Sequence, residues 1–460
     1  MNKILLSGFI QSIEGPLRWG PLKKSNQMKK SILALVLLVF LVGCDRAQGI
    51  KAAEDTRDYK IRGGLPNVMS KLESGDSLRI GYLGGSITAQ PGWRLYSQEW
   101  LKEQYPKAKI TEIHAAIGGT GSNFGVFRLK EHVLHYQPDL LFVEFAVNDA
   151  SQDSERIIRS MEGIIRQTWE YFPKTDICLI YTIRDSFIEA NRDGENPNSV
   201  STMEPIADYY NIPSINFGPE VVKRIDEGTL IFKAPKSDTD SVEIFSPDGV
   251  HPYPESGHRI YHEVFKKAFG AFAELSGKQI SHEIDAPMDS SYFSNTAMYD
   301  WNSLRSSDSF EGIVVADDDR FKSFDDYFDS LGEGKPGDVL SFTFEGTAFG
   351  FYDLRGPGVG QIEISLDGVP FDTLSRFDKY CDYWRISYSL NDQLPDARHK
   401  VVCRVLDLPI DKAGILAQGN KKIENLEEYK DINWYLAKIL INGELISTQD
   451  QVAKMGSQNP

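Results

Sequence analysis

The sequence predicts an α/β domain, a parallel sheet with helices on both faces, followed by an all-β sandwich or jelly roll. Three observations predict it. Between residues 77 and 275, apolar segments alternate with amphipathic ones. The first two amphipathic segments stop at proline, at Pro106 and Pro138. From about residue 338 the segments shorten and alternate with period two. Apolar strands alternating with helices build a parallel sheet buried on both sides. Period-two runs between turn signals build antiparallel sheets.

The elements follow in order. "SLRIGYLG" reads as a first strand ending in glycine, and "WRLYSQEWLKEQYP" as a helix from the spacing of Leu95, Trp100 and Leu101. "AKITEIHAA" is a second strand and "GVFRLKEHVLHYQP" a second helix. "DLLFVEFAV" is a third, almost wholly apolar strand, followed by the long helix "SERIIRSMEGIIRQTWEYFP". "DICLIYTI" is a fourth strand, "STMEPIADYYNIP" a helix, "SINFG" a short fifth strand and "PESGHRIYHEVFKKAFGAFAEL" the last helix.

In "VLSFTFEG", Leu340, Phe342 and Phe344 face one way and Ser341, Thr343 and Glu345 the other. "QIEISLDGVPF" carries the turn signal Asp367-Gly368, and "WYLAKILINGELI" carries Asn442-Gly443, a hairpin signal. "HKVVCRVLDL" is a further strand. The expected boundaries are a leader and linker over 1–66, an α/β domain over 67–280, a β-sandwich over 281–450 and a tail over 451–460.

Net charge is −16, which argues against nucleic acid as partner because phosphate binding needs clustered Lys and Arg. "MKKSILALVLLVFLVGC" from Met28 has two lysines, a short apolar run and a small residue before Cys44, the features of a signal peptide. The run is short of the roughly 20 residues that span a bilayer. "LVGC" resembles a bacterial lipobox, which implies lipidation at Cys44, export, and contact with the membrane only through that anchor. An uncleaved anchor helix is the alternative. Cys178 lies in a strand pattern and reads as a small hydrophobe. Cys381 and Cys403 share the later domain, where export permits a disulfide that spacing alone does not establish. No Cys/His spacing reads as a zinc site, and no cofactor is expected.

In an open α/β sheet, ligands bind at the carboxyl ends of the strands. Ser86 follows the first strand in "GGSIT". Gly118, Gly119 and Gly121 follow the second in "AAIGGTGSN". Asn148 and Asp149 follow the third in "AVNDA", and Asp248 and His251 lie in "SPDGVHP" before the last helix. Taken singly, each has a plainer explanation. Ser86 can cap a helix, the glycines can make a turn, and Asp248 can start one. Asp149 reads as a helix cap. His132, His135, His258 and His262 read as surface or packing residues.

The four blocks, in this order, resemble the SGNH hydrolase superfamily of GDSL-type esterases and lipases over roughly residues 77–275. The resemblance implies a flavodoxin-like sheet and acyl-ester hydrolysis without a cofactor. A serine hydroxyl is a poor nucleophile until a base takes its proton. His251 is the candidate base, Asp248 its orienting acid and Ser86 the nucleophile. The backbone N–H groups of Ser86 and Gly119 and the side-chain amide of Asn148 are candidate oxyanion donors.

Three positions depart from the family pattern: Gly85 replaces its acid, Ala146 its glycine and His114 its asparagine. Trp93 and Arg184 are candidate substrate contacts, with the core and an ion pair as their alternatives. "RGPGVG", Tyr380, Tyr383 and Trp384 can bind sugar or build the sandwich core.

The favoured substrate is an acetylated glycan, on the resemblance to exported polysaccharide deacetylases with an added β-sandwich. A lipid-directed acylhydrolase and a non-catalytic glycan-binding lipoprotein are the rival readings.

Overall fold

The computed structural model describes residues 54–237, 241–275, 278–303 and 309–446. Cys44, the rest of the leader and the tail over 451–460 lie outside the described residues. The described residues belong to one compact unit.

The first sheet is built from β1 (Tyr59–Lys60), β2 (Leu78–Gly84), β3 (Ile110–Ala116), β4 (Leu140–Glu144), β5 (Asp176–Tyr181) and β6 (Ser214–Asn216). Its order is β1-β6-β5-β4-β2-β3. β2 through β6 pair in parallel, and only the two-residue β1 is antiparallel, on the edge. Counted from β2, the parallel strands stand in the order 2-1-3-4-5, so the sheet is flavodoxin-like, with its switch point between β2 and β4.

Successive side chains of a strand point to opposite faces. In β4, Leu141 and Val143 join one apolar cluster with Phe124, Ile157, Ile164 and Trp169. Leu140 and Phe142 join another with Trp93, Leu101, Ile260 and Phe265. Helices Ser122–His132, Ser154–Tyr171 and Asn198–Tyr209 therefore cover one face, and Trp93–Gln104 and Arg259–Ala273 the other. Asp153 starts the longest helix by accepting the Arg156 N–H at 2.9 Å.

All five predicted parallel strands form. β4 ends at Glu144, three residues early, and the chain then turns. The second helix starts at Ser122, three residues before the quoted run. Helices Pro66–Ser74 and Gly218–Asp226 and the small parallel pair β7 (Leu230–Lys233) and β8 (Glu243–Ser246) were not expected. β8 leads directly into the loop with Asp248 and His251.

The sandwich comprises β9 (Thr296–Asp300), β10 (Glu311–Val314), β11 (Ser330–Gly334), β12 (Val339–Arg355), β13 (Gln361–Leu366), β14 (Val369–Ser375), β15 (Arg385–Asn391), β16 (Ala397–Val405) and β17 (Trp434–Ile446). The long strand β12 pairs with β16 along its first half and with β15 along its second. β17 runs beside it through both. The two strands thus belong to both layers.

Asp367 and Gly368 make the predicted hairpin, with φ of 56° and 83°. Asn442-Gly443 corrects the reading of its signal: it makes no hairpin, and β17 runs straight through it. Gly443 faces Gly346 where β12 and β17 bend together. A Cβ on Gly443 would lie 2.1 Å from the Glu345 carbonyl oxygen, so the glycine serves close approach rather than a turn. Cys381 and Cys403 are free thiols in separate apolar clusters.

The sandwich shares a core with the α/β domain. Phe328, Tyr352, Leu354 and Tyr435 lie in the same cluster as Phe124 and Val126. Ahead of β9, His282 stacks on Trp169 at 4.6 Å and contacts Asp176 at 2.8 Å, which lays the connecting segment onto the α/β domain.

Candidate active site

β2 ends in Gly84, Gly85 is extended, and Ser86 is the first residue of the short helix Ser86–Ala89. Gly85, not Ser86, is the N-cap, and no side chain caps this helix. The Ser86 hydroxyl bonds elsewhere: its Oγ lies 2.8 Å from His251 Nε2. The two residues are 165 positions apart in the chain.

His251 Nδ1 lies 2.7 Å from Asp248 Oδ2. The other carboxylate oxygen of Asp248 accepts the backbone N–H groups of Val250 at 2.9 Å and His251 at 2.8 Å. The Ser246 hydroxyl donates to it at 3.0 Å. Burial raises the Asp248 pKa, but the His251 ring and these two amides outweigh it and hold the carboxyl well below the usual carboxylate range. An ionised Asp248 fixes the proton on Nδ1 and leaves Nε2 to accept from Ser86. Gly249, at φ 86°, makes the turn that brings acid and imidazole together. Asp248 both shapes its turn and contacts the ring. The two side chains remain 50% and 36% exposed, so the site is open to solvent.

Gly118 lies against Ser86, where an added Cβ would meet the serine Cβ at 3.6 Å. Gly119 has φ of 73°, and a Cβ there would meet nothing within 4 Å. It is a left-handed position facing open space, beside the serine. Thr120 Oγ1 ties the turn by donating to the Ile117 carbonyl at 2.8 Å.

Asn148 leaves β4 and packs on Gly85, where a Cβ would fall 2.0 Å from its Oδ1. Its side chain has no hydrogen-bond partner among the described residues. Asp149 does not cap the helix that follows it, which starts at Asp153; its Oδ1 instead accepts the Ser122 N–H at 3.0 Å, at the start of the helix Ser122–His132.

Under the serine turn lies a group that sequence reasoning missed. Glu144 is fully buried and accepts the hydroxyls of Thr88 and Thr182, each at 2.7 Å. Burial pushes its pKa up to about 7 against these hydrogen bonds. A glutamate inside an apolar run was the available signal. Tyr388 was also missed. It reaches from β15 to the loop after Gly119, and its register is invisible in a period-two strand.

Trp93 corrects the expectation of a substrate contact. Its ring is fully buried among Tyr82, Phe142 and Phe217. Its backbone N–H donates to His258 Nδ1 at 3.2 Å, which makes His258 a packing residue. Arg184 is 37% exposed and stands 3.7 Å from Asp185. The Asp185 N–H donates to the Gly249 carbonyl at 2.9 Å, so Arg184 borders the His251 loop. Trp384 packs on Phe321 and Tyr435, whereas Tyr380 and Tyr383 are exposed. Among the described residues, no cluster of three or more His, Cys, Asp or Glu could hold a metal ion.

Residues 75–260 match the model of the GDSL-like lipase/acylhydrolase family. No curated protein matches the sequence. The chain is similar in structure to a two-domain esterase active on acetylated mannans, with a TM-score of 0.62 and 21% identity. The likeness covers 84% of this chain and 99% of that one. The same esterase co-crystallised with mannopentaose gives a TM-score of 0.61 at 21% identity, covering 85% and 99%. At that identity the likeness shows a shared fold across both domains.

Proposed function

We propose that this protein, a carboxylic ester hydrolase whose residues 75–260 form a GDSL-like lipase/acylhydrolase domain, removes acetyl groups from a polysaccharide through Ser86. The observation that carries the reading is the unbroken hydrogen-bonded chain from Ser86 Oγ through His251 to Asp248, at 2.8 and 2.7 Å.

In this reading His251 takes the Ser86 proton as Oγ attacks the ester carbonyl, and the carbonyl electrons move to oxygen. Asp248 stabilises the imidazolium that results. The N–H groups of Ser86 and Gly119 and the Asn148 amide hold the oxyanion. The tetrahedral adduct collapses, and His251 returns its proton to the departing sugar oxygen. Water, activated by the same imidazole, then releases acetate from acyl-Ser86.

Two features support a glycan substrate. Asp248 and His251 stand open to solvent, which suits a chain lying across them. The whole-chain likeness to an esterase named for acetylated mannans points the same way. We also propose that the protein is exported and held to the membrane by lipid on Cys44.

Acetate release from a panel of acetylated polysaccharides, with Ser86→Ala as control, tests the activity. No release from any of them, or equal release by the variant, would sink it. A preference for octanoate over acetate in p-nitrophenyl esters would favour a lipid substrate instead.

A further inference from the structure

Tyr388 lies on β15 of the sandwich, yet its hydroxyl sits in the loop that follows Gly119. The Gly121 N–H donates to Tyr388 Oη at 3.3 Å, and Oη donates to Asn123 Oδ1 at 2.9 Å. The same Asn123 oxygen accepts from Gln152 Nε2 at 3.2 Å, and that nitrogen also reaches Asp149 Oδ1 at 2.7 Å. Asp149 directly follows Asn148. One hydrogen-bond chain therefore starts in the sandwich and ties together the two loops that present Gly119 and Asn148. There is little slack at Gly121, where a Cβ would fall 2.4 Å from Asp149 Oδ1 and 2.5 Å from Gln152 Nε2.

The tyrosine is itself held from three sides. Its ring stacks on Phe124 at 4.8 Å, with 14° between the planes. Its backbone pairs with Tyr352 on β12. Just past the end of β15, Asp392 receives Arg156 at 2.7 Å and Arg159 at 3.0 Å, both from the helix Ser154–Tyr171. The Asp392 and Arg159 side chains are 5% and 4% exposed, so that pair is shielded from water, while Arg156 reaches it from the surface. Such a contact fixes where β15 sits along the α/β domain, and with it the height of the tyrosine hydroxyl.

We infer that Tyr388 is a positioning residue for acyl transfer, through which the sandwich domain holds the Gly119 and Asn148 loops at the spacing the oxyanion needs. The inference rests on the acyl-transfer reading above. Oxyanion donors act only when fixed before the charge develops, and small displacements in such a site cost much of the rate. On this account the second domain is part of the catalytic apparatus whatever glycan it contacts.

Tyr388→Phe in the full chain tests it, because the ring stack survives and only the hydroxyl is lost. With p-nitrophenyl acetate, kcat should fall about tenfold or more while KM holds. Phosphonylation of Ser86 by a p-nitrophenyl phosphonate should slow in parallel, since it builds the same oxyanion. Asp392→Asn, which loosens β15 without touching the loops, should show the same split in weaker form. A purely structural tyrosine would lower the melting temperature and leave kcat per folded molecule unchanged. If both variants keep kcat within about twofold, the inference is overturned. Activity surviving in Ser86→Ala would overturn the acyl-transfer reading itself, and this inference with it.

Discussion

Gly85 and Asn148 occupy each other's space: a Cβ on residue 85 would lie 2.0 Å from Asn148 Oδ1 and 2.7 Å from its Cγ. The amide of Asn148 fills the room that a side chain at residue 85 would need. The backbone at Gly85, φ −93° and ψ −156°, is open to any residue, so the constraint is steric rather than conformational.

Gly85→Ala should therefore displace Asn148 while leaving the triad in place. We expect kcat to drop by about 3 kcal/mol of barrier, the usual loss for one misplaced oxyanion donor. Steady-state kinetics with p-nitrophenyl acetate measures it, and an unchanged kcat would show that Asn148 does not touch the reacting oxygen.

Asn148→Asp should be worse than Asn148→Ala. Alanine removes one donor, at about 3–4 kcal/mol. Aspartate adds an acceptor, and at neutral pH a negative charge, where the oxyanion forms. The two kcat values at pH 7 give the comparison.

Glu144 makes stability depend on pH. Its folded pKa is raised from 4.5 to about 7 by burial. Between those values the folded state holds a proton that the unfolded state has lost. Stability from this group is thus full below about 4.5 and declines as pH rises toward about 7, by about 3 kcal/mol in all. Urea unfolding from pH 4.5 to 8 should show the decline, and Glu144→Gln should remove this group's share while leaving that of Asp149, whose buried carboxyl is likewise raised to about 7.

Arg184 borders the His251 loop without joining its hydrogen bonds. Arg184→Ala should raise KM for an acetylated polysaccharide several-fold and leave p-nitrophenyl acetate hydrolysis unaltered. Equal effects on both substrates would place the arginine in loop structure rather than in glycan contact.

Much of this protein is written locally. Apolar runs such as "DLLFVEFAV" specify buried parallel strands because both faces of such a strand meet helices. Asp367-Gly368 specifies its hairpin because both residues must take positive φ. Ser86, Gly119 and Asn148 stand out as candidates because each follows a strand of the parallel sheet, whereas Asp248 and His251 follow β8 of the separate two-stranded sheet and are marked only by their loop before the last helix.

Tertiary structure decided the rest. Asn442-Gly443 carries the same kind of signal as Asp367-Gly368, yet it continues a strand, because β12 and β17 press their backbones together there. Trp93 follows the serine in sequence, but the helix it opens turns its ring inward among Tyr82, Phe142 and Phe217. Tyr388 and Asp392 acquire meaning only when the sandwich docks. Turn chemistry and hydrophobic period act between neighbours in the chain, whereas docking is set by packing and charge pairing between residues more than two hundred positions apart.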